Sequence, residues 1–487
     1  MSYIVGVDVG TSKIAALVLD TESGQTLSLC ETANESETTS AADKALGRSE
    51  WDADRAADLT MGCMGEAISQ VDATRITGIG IAGQMHGMAL LDLEGRAVSP
   101  FIGWRDQRCQ ESFPGKDQTY INRMMELAGL GGFAHTGCTP ATGYMGSTLF
   151  WLAANGDPRV ARGGAGAPVH ACFMADYLVM KLTGESPMTD PTNGGGSGVF
   201  DVVIGDWNKP LIERLGIKSE IFPPVRKSCT RAGGLTADVA RALGLQPGIS
   251  VAVGCGDNQA SFAGSVCCPA DSLLLNIGTG AQVSAWVPKG LIVPSVDTRP
   301  HLDGGFLLVG APLCGGLSYA LLQDFFRSIG SAFFGAAGDE ELYEEMNRLA
   351  RSVRPGADGL TCIPLFTGSR LDPSKRASFH GVNPANFTPG HFARAILEGV
   401  AEQLHLYYSD MLENGVKPRK ELICCGNGVR RNPLQADILA HTFVMPARLP
   451  VSTEESAFGA ALVGAVASGE YPTLARAIKL VRYCACE

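Results

Sequence analysis

Tyr3–Leu19 reads YIVGVDVGTSKIAALVL. Tyr3 to Val9 is β-branched and apolar, Gly10-Thr11-Ser12 interrupts it, and Ile14 to Leu19 resumes it, a pattern that predicts a tight antiparallel hairpin. Leu273 to Val287 repeats the plan, with a strand to Ile277, the turn Gly278-Thr279-Gly280 and a second strand from Ala281. Such turns leave backbone N–H groups and hydroxyls pointing outward, which is what an anion needs. One Gly-Thr hairpin could belong to any β protein. Two, one at the start of each half, predict a duplicated domain that grips one phosphate chain from both sides. The copies differ at an informative position, Asp8 against Asn276. A carboxylate facing phosphates repels them unless a cation lies between, so Asp8 predicts Mg²⁺ and Asn276 a neutral contact.

The second hairpin follows Val251–Gly264, VAVGCGDNQASFAG. The apolar run predicts a buried strand, Gly254-Cys255-Gly256 a sharp turn, and the small residues behind them a helix. Asp257 then stands at a strand end, with Asn258 and Gln259 beside it. Two readings stay open from these residues: a helix N-cap, or a carboxylate that takes the proton of a bound hydroxyl.

Two loops and one turn supply further candidates. The strand Ile76–Ile81 ends at Gly83-Gln84-Met85-His86-Gly87, and ligands in open α/β sheets bind at such strand ends. Trp104-Arg105-Asp106-Gln107-Arg108 offers a flat apolar face at Trp104 and an acceptor at Asp106. Asp106 could equally answer Arg105 or Arg108 in an ion pair. Gly426-Asn427-Gly428, with Asn432 opening the helix Pro433–His441, would let an adenine ring lie flat on the backbone. No third glycine follows in dinucleotide spacing, which disfavours a nicotinamide site.

Seven blocks carry a resemblance to the FGGY carbohydrate kinases: VDVGTS, GIAGQMHGMALLD (Gly80–Asp92), GWRDQR (Gly103–Arg108), DYLVMKLTGE (Asp176–Glu185), GCGDNQ, NIGTG and GNGVRRNPLQADILA (Gly426–Ala440). The resemblance implies an α/β, two-domain actin-like ATPase (ribonuclease H-like) fold with an interdomain cleft. Residues 1–247 would be the sugar-binding domain and 248–487 the ATP-binding domain. It implies that Asp257 is the catalytic base and that Gln84, Met85, His86, Gly87, Trp104, Asp106, Thr142 and Asn258 meet the sugar. ATP and its phosphates would meet Gly10, Thr11, Ser12, Lys13, Gly278, Thr279, Gly280, Gly426, Asn427, Gly428 and Asn432, with Mg²⁺ near Asp8.

The sequence also departs from the family pattern. Many relatives carry Lys or Arg where Ala15 stands, which leaves Lys13 as the nearest basic residue. Ser369 stands where a glutamate is usual, so Arg370 is assigned no role. The implied acceptor is a ketose, sedoheptulose on the strength of Ala141-Thr142-Gly143-Tyr144, Leu149-Phe150-Trp151 and Thr189–Asn193, with xylulose or another pentulose or polyol as the alternative. Readings of a different class are an actin-like ATPase that needs no sugar, and a sugar-responsive regulator without catalysis.

Composition agrees. At 487 residues the chain exceeds one hydrophobic core, and a net charge of −11 disfavours nucleic-acid or anionic-membrane partners. Glycine is abundant, 60 residues or about 12% against a typical ~7%, which suits many close backbone approaches. The 15 cysteines are scattered and include Cys267-Cys268 and Cys424-Cys425, so they read as core thiols of a reducing compartment. Cys484 and Cys486 lack a second ligand pair at zinc spacing. No signal peptide precedes Tyr3 and no apolar run reaches a membrane span, so the expected location is cytoplasmic. A homodimer is one assembly the sequence leaves open.

Overall fold

The computed structural model describes residues 2–335, 342–368 and 374–484, so Ser369, Arg370 and Cys486 lie outside the described residues. Two mixed sheets organise it. The first contains β1 (Tyr3–Val9), β2 (Lys13–Asp20), β3 (Thr26–Ala33), β4 (Ile76–Gly83), β5 (Arg231–Gly234), β6 (Ser250–Ala252) and β7 (Cys255–Gly256), in the order β5-β6-β4-β1-β2-β3 with β7 also on β4. The second contains β8 (Ser272–Ile277), β9 (Ala281–Val287), β10 (Asp297–Pro300), β11 (Phe306–Gly310), β12 (Glu421–Cys425) and β13 (Ala447–Arg448), in the order β10-β11-β9-β8-β12-β13.

The duplication is explicit in the pairing. In each half the opening strand turns back through the Gly-Thr hairpin into an antiparallel neighbour and pairs in parallel on its other side, β1 with β4 and β8 with β12. The duplication predicted from the hairpins, and the two-domain actin-like architecture that the resemblance implies, are therefore observed. The division expected at 247/248 falls inside the first sheet, between the paired strands β5 and β6. The chain leaves that sheet only after β7.

Helices cover both sheets. α1 (Ala53–Ser69), capped by Asp52 accepting from the Arg55 N–H, buries Ala56, Met64 and Ile68 against the first sheet. α2 (Met145–Ala154) belongs to an outer lobe that closes the first half. α3 (Asp257–Ser265) follows β7, α4 (Pro389–Glu413) covers the second sheet, and α5 (Glu455–Ala467) returns to the first. That return depends on glycine. A Cβ at Gly80 would lie 1.8 Å from the Ala460 carbonyl oxygen, and one at Gly459 the same distance from the Ala260 carbonyl oxygen. α5 can touch both β4 and α3 only because neither position has a side chain.

Every described cysteine is a free thiol. No helix among the described residues is long and apolar enough to cross a membrane.

Candidate active site

The two hairpins set matching positions at their mouths. Asp8 pairs in register with Ala15 on β2 and Ala82 on β4, and Asn276 with Gln282 on β9 and Cys425 on β12. Gly10 N–H closes the first turn on the Lys13 carbonyl, and Gly278 N–H closes the second on the Gly280 carbonyl. Asp257 is not the cap of α3: Gly256 holds that place, in extended backbone, and no side chain caps the helix. Its carboxylate oxygen accepts instead from the Asn258 N–H at 2.7 Å. Burial pushes its pKa up to about 6, while the Asn258 amide and the Arg299 guanidinium pull it down. Such a group is mostly ionised at neutral pH and still basic enough to take a hydroxyl proton.

Asp8 is pushed further, to about 8, by burial first and by the charge of Asp257 second, with the Ser456 hydroxyl opposing. Its Oδ1 is buried and has no hydrogen-bond partner. A buried carboxylate oxygen left empty beside a second carboxylate fits a hard divalent cation, which takes oxygen ligands and relieves the repulsion.

The loop after β4 is tied to the first hairpin. Trp104 Nε1 donates to Thr11 Oγ1 at 3.0 Å, and Thr11 donates to Gln84 Oε1 at 3.3 Å. His86 has a φ of +78°, a conformation that costs a non-glycine residue about 1–2 kcal/mol. Two contacts hold it there: its Nδ1 lies 2.7 Å from the Gly196 carbonyl oxygen, and its ring stacks on Tyr144 with centroids 4.1 Å apart. Met85 is buried beneath it, and Gly87 packs so tightly that a Cβ would lie 2.6 Å from the Ile102 carbonyl oxygen. Thr142 Oγ1 donates to the Asp106 carbonyl, and Asn258 Nδ2 donates to Gln282 Oε1.

Two expectations are corrected by this geometry. Asp106 is fully buried and its carboxylate is filled: Oδ1 accepts from Arg108 N and Nε, Oδ2 from Ser49 N and Arg108 Nη2. No acceptor position is left for a sugar hydroxyl, so Asp106 is the ion pair of the alternative reading and shapes the loop that carries Trp104. Lys13, expected near phosphate, is held by Glu31 on β3 and by Glu454 at 2.7 Å. β2 begins at Lys13, so Lys13 and Ala15 do share one face, and the ammonium ties the hairpin to the start of α5.

On the other side of the second hairpin lies a cavity of about 1020 Å³. Gly278, Thr279, Gly426, Asn427, Gly428 and Asn432 line it, whereas Gly10, Thr11, Ser12 and Gly280 do not. Gly426 has a φ of +85° and leaves no room for a Cβ, which would meet the Ile277 carbonyl oxygen at 2.4 Å. Asn432 opens the helix Pro433–Phe443 without capping it, and its Oδ1 is buried and unpartnered. Tyr319 and Tyr343, stacked with centroids 5.9 Å apart, form a wall that the sequence reading missed. It also missed Arg299, Glu454 and Ser456. Arg299 reaches the site from β10, and Glu454 and Ser456 from the start of α5.

Family models match almost the whole of this arrangement. The FGGY carbohydrate kinase N-terminal domain matches residues 3–264, and the C-terminal domain of the same family matches residues 275–468. The chain belongs to the FGGY family of carbohydrate kinases. It is 27% identical to a xylulose kinase of Staphylococcus xylosus, over 96% of this FGGY kinase and 91% of that one. It is also 27% identical to a sedoheptulokinase of Mus musculus, over 94% of its own length and 96% of the relative's. Among solved structures, a xylulose kinase of Rhodospirillum rubrum superposes with a TM-score of 0.85 at 24% identity, covering 99% of this FGGY kinase and 93% of that chain. This FGGY kinase is thus a sugar phosphotransferase with the family's fold, and its hairpins, loop and cavity are the parts of that fold.

Proposed function

We propose that this FGGY kinase transfers the γ-phosphoryl group of ATP to the terminal hydroxyl of a ketose, sedoheptulose, with Asp257 as the base. The observation that carries the reading is the half-buried Asp257 carboxylate, free of a capping role, within electrostatic reach of Asp8 on the first hairpin and next to Asn258, which bonds Gln282 on the second. In it, Asp257 orients the hydroxyl and accepts its proton as the oxygen attacks phosphorus. The backbone amides of Thr11–Ser12 and Thr279–Gly280, in the turns that Gly10 and Gly278 close, hold the transferring phosphates. The cavity beside Gly426–Gly428 takes the adenine, and the unpartnered Asn432 carbonyl suits an exocyclic N–H. Mg²⁺, which Asp8 would hold, offsets the charge of the phosphates when bound.

Gln84, Met85, His86 and Gly87 line the ketose end, with Trp104 as an apolar face and Thr142 and Asn258 as hydroxyl partners. A seven-carbon ketose places its carbonyl end two carbons further from Asp257 than a pentulose does. A pentulose would leave partners of that deeper pocket unpaired, at about 1–3 kcal/mol each. The xylulose kinase match of equal identity supports xylulose as the second reading.

ADP release with MgATP across ketoses, polyols and aldoses tests this. Sedoheptulose is expected to exceed xylulose by roughly tenfold or more in kcat/KM, from the same cost per unpaired group. Xylulose, ribulose or glycerol as best acceptor would overturn the sedoheptulose assignment alone. Silence with every sugar would revive the sugar-responsive regulator.

A further inference from the structure

β10 belongs to the second sheet by pairing with β11, yet it packs against the first half. Thr298 N–H donates to the Gly137 carbonyl at 2.6 Å, and Pro300 presses on Gly195, where a Cβ would lie 2.6 Å from the proline ring. The Pro300 carbonyl accepts from Gln259 Nε2 on α3 at 3.1 Å. Between these anchors Arg299 points at the active site with only 3% of its surface exposed. Its Nη2 donates to Asp297 at 2.8 Å and its Nη1 to Asn258 Oδ1 at 3.3 Å, the side chain next to the base.

A guanidinium has five N–H donors in a fixed fork, and burial is costly unless they are used. Asp297 and Asn258 account for one donor on each terminal nitrogen. The charge acts on Asp257, whose pKa it lowers, and on Tyr144, the ring stacked on His86. Arg299 therefore stands between the base and the aromatic wall of the sugar loop. None of the residues expected to meet the sugar brings a positive charge there.

We propose that Arg299 is a specificity-determining residue that donates to the acceptor oxygen on the carbon next to the phosphorylated hydroxyl. This rests on the ketose reading above. Because Arg299 comes from the second sheet and the sugar loop from the first, an acceptor that carries this oxygen is pinned by both halves. An acceptor that lacks it leaves buried N–H groups unpaired.

The test compares ketoses with their deoxy analogues by ADP release: sedoheptulose with 6-deoxysedoheptulose, and xylulose with 4-deoxyxylulose. Wild type is expected to favour the full ketose by about tenfold to a hundredfold in kcat/KM, the range an unpaired buried polar group costs. Arg299→Met should reduce that ratio to below about threefold with the KM for ATP unchanged, the same estimate with the group removed. Arg299→Met removes the guanidinium bonded to Asp297, so the double variant Asp297→Asn with Arg299→Met is measured beside it. A wild-type enzyme indifferent to the deoxy position overturns the proposal whether or not the variants fold. So does a folded variant that keeps the wild-type ratio. Absence of ADP release with every acceptor would instead overturn the ketose reading itself.

Discussion

Asp8 and Asp257 are both held above the ordinary carboxylate range by burial, and Asp8 Oδ1 is buried with no hydrogen-bond partner. A carboxylate whose pKa rises on folding favours the protonated folded state. Its contribution to stability is full below the unfolded value near 3.8 and is lost as pH rises through about 8 for Asp8. The metal-free enzyme should therefore lose thermal stability between about pH 4 and 8, and Asp8→Asn should remove part of that loss. Mg²⁺ should raise the unfolding temperature of wild type more at pH 8.5 than at pH 5.5. Equal pH profiles for wild type and Asp8→Asn would contradict the raised Asp8 pKa, and an Mg²⁺ response unaltered in Asp8→Asn would remove Asp8 from the metal's surroundings. The places of Asp8 and Asp257 in the fold were legible because each carboxylate lies beside a strand end and its glycines in the chain. Asp106 was half legible, because the Arg108 that fills it is two residues on, whereas Lys13 was not, because Glu454 is 441 residues away.

Among the elements, α5 bears the closest packing, and its glycine contacts set a sharp expectation. Gly80→Val or Gly459→Val forces backbone apart at positions where even a Cβ has no room, and should cost about 3 kcal/mol or more, the upper range for overpacking. Chemical denaturation reads this, and a loss under 1 kcal/mol would show that α5 can shift. The opposite change is available at Val444, which ends the helix Pro433–Phe443 with φ +53° and is exposed. A β-branched residue is strained there, so Val444→Gly should stabilise by about 1 kcal/mol. Element positions were largely readable: the strand expected over Ile76–Ile81 is β4, and the helix expected over Pro433–His441 runs Pro433–Phe443. β10 was not, because Asp297–Pro300 has little apolar alternation and is a strand through its pairing with β11.

At the scale of the molecule the two halves are copies in strand order but not in role. The first hairpin carries the carboxylate suited to a cation, and the second borders the 1020 Å³ cavity. They are joined by β10 and α5, each packed on the half that its neighbours in sequence do not belong to. Closure about these joints would exclude water, which otherwise competes with the sugar for the phosphoryl group. The duplication was visible because both hairpins repeat one local pattern. The joints were not, since they depend on backbone contacts between distant segments. The account turns on Asp257 as base, and single-turnover phosphoryl transfer to the best ketose, in wild type and Asp257→Asn, tests it most directly. The asparagine keeps volume and the fold but cannot take the proton, so transfer should slow by roughly 10² to 10⁴ with sugar affinity unchanged. Transfer within a few-fold of wild type would contradict it.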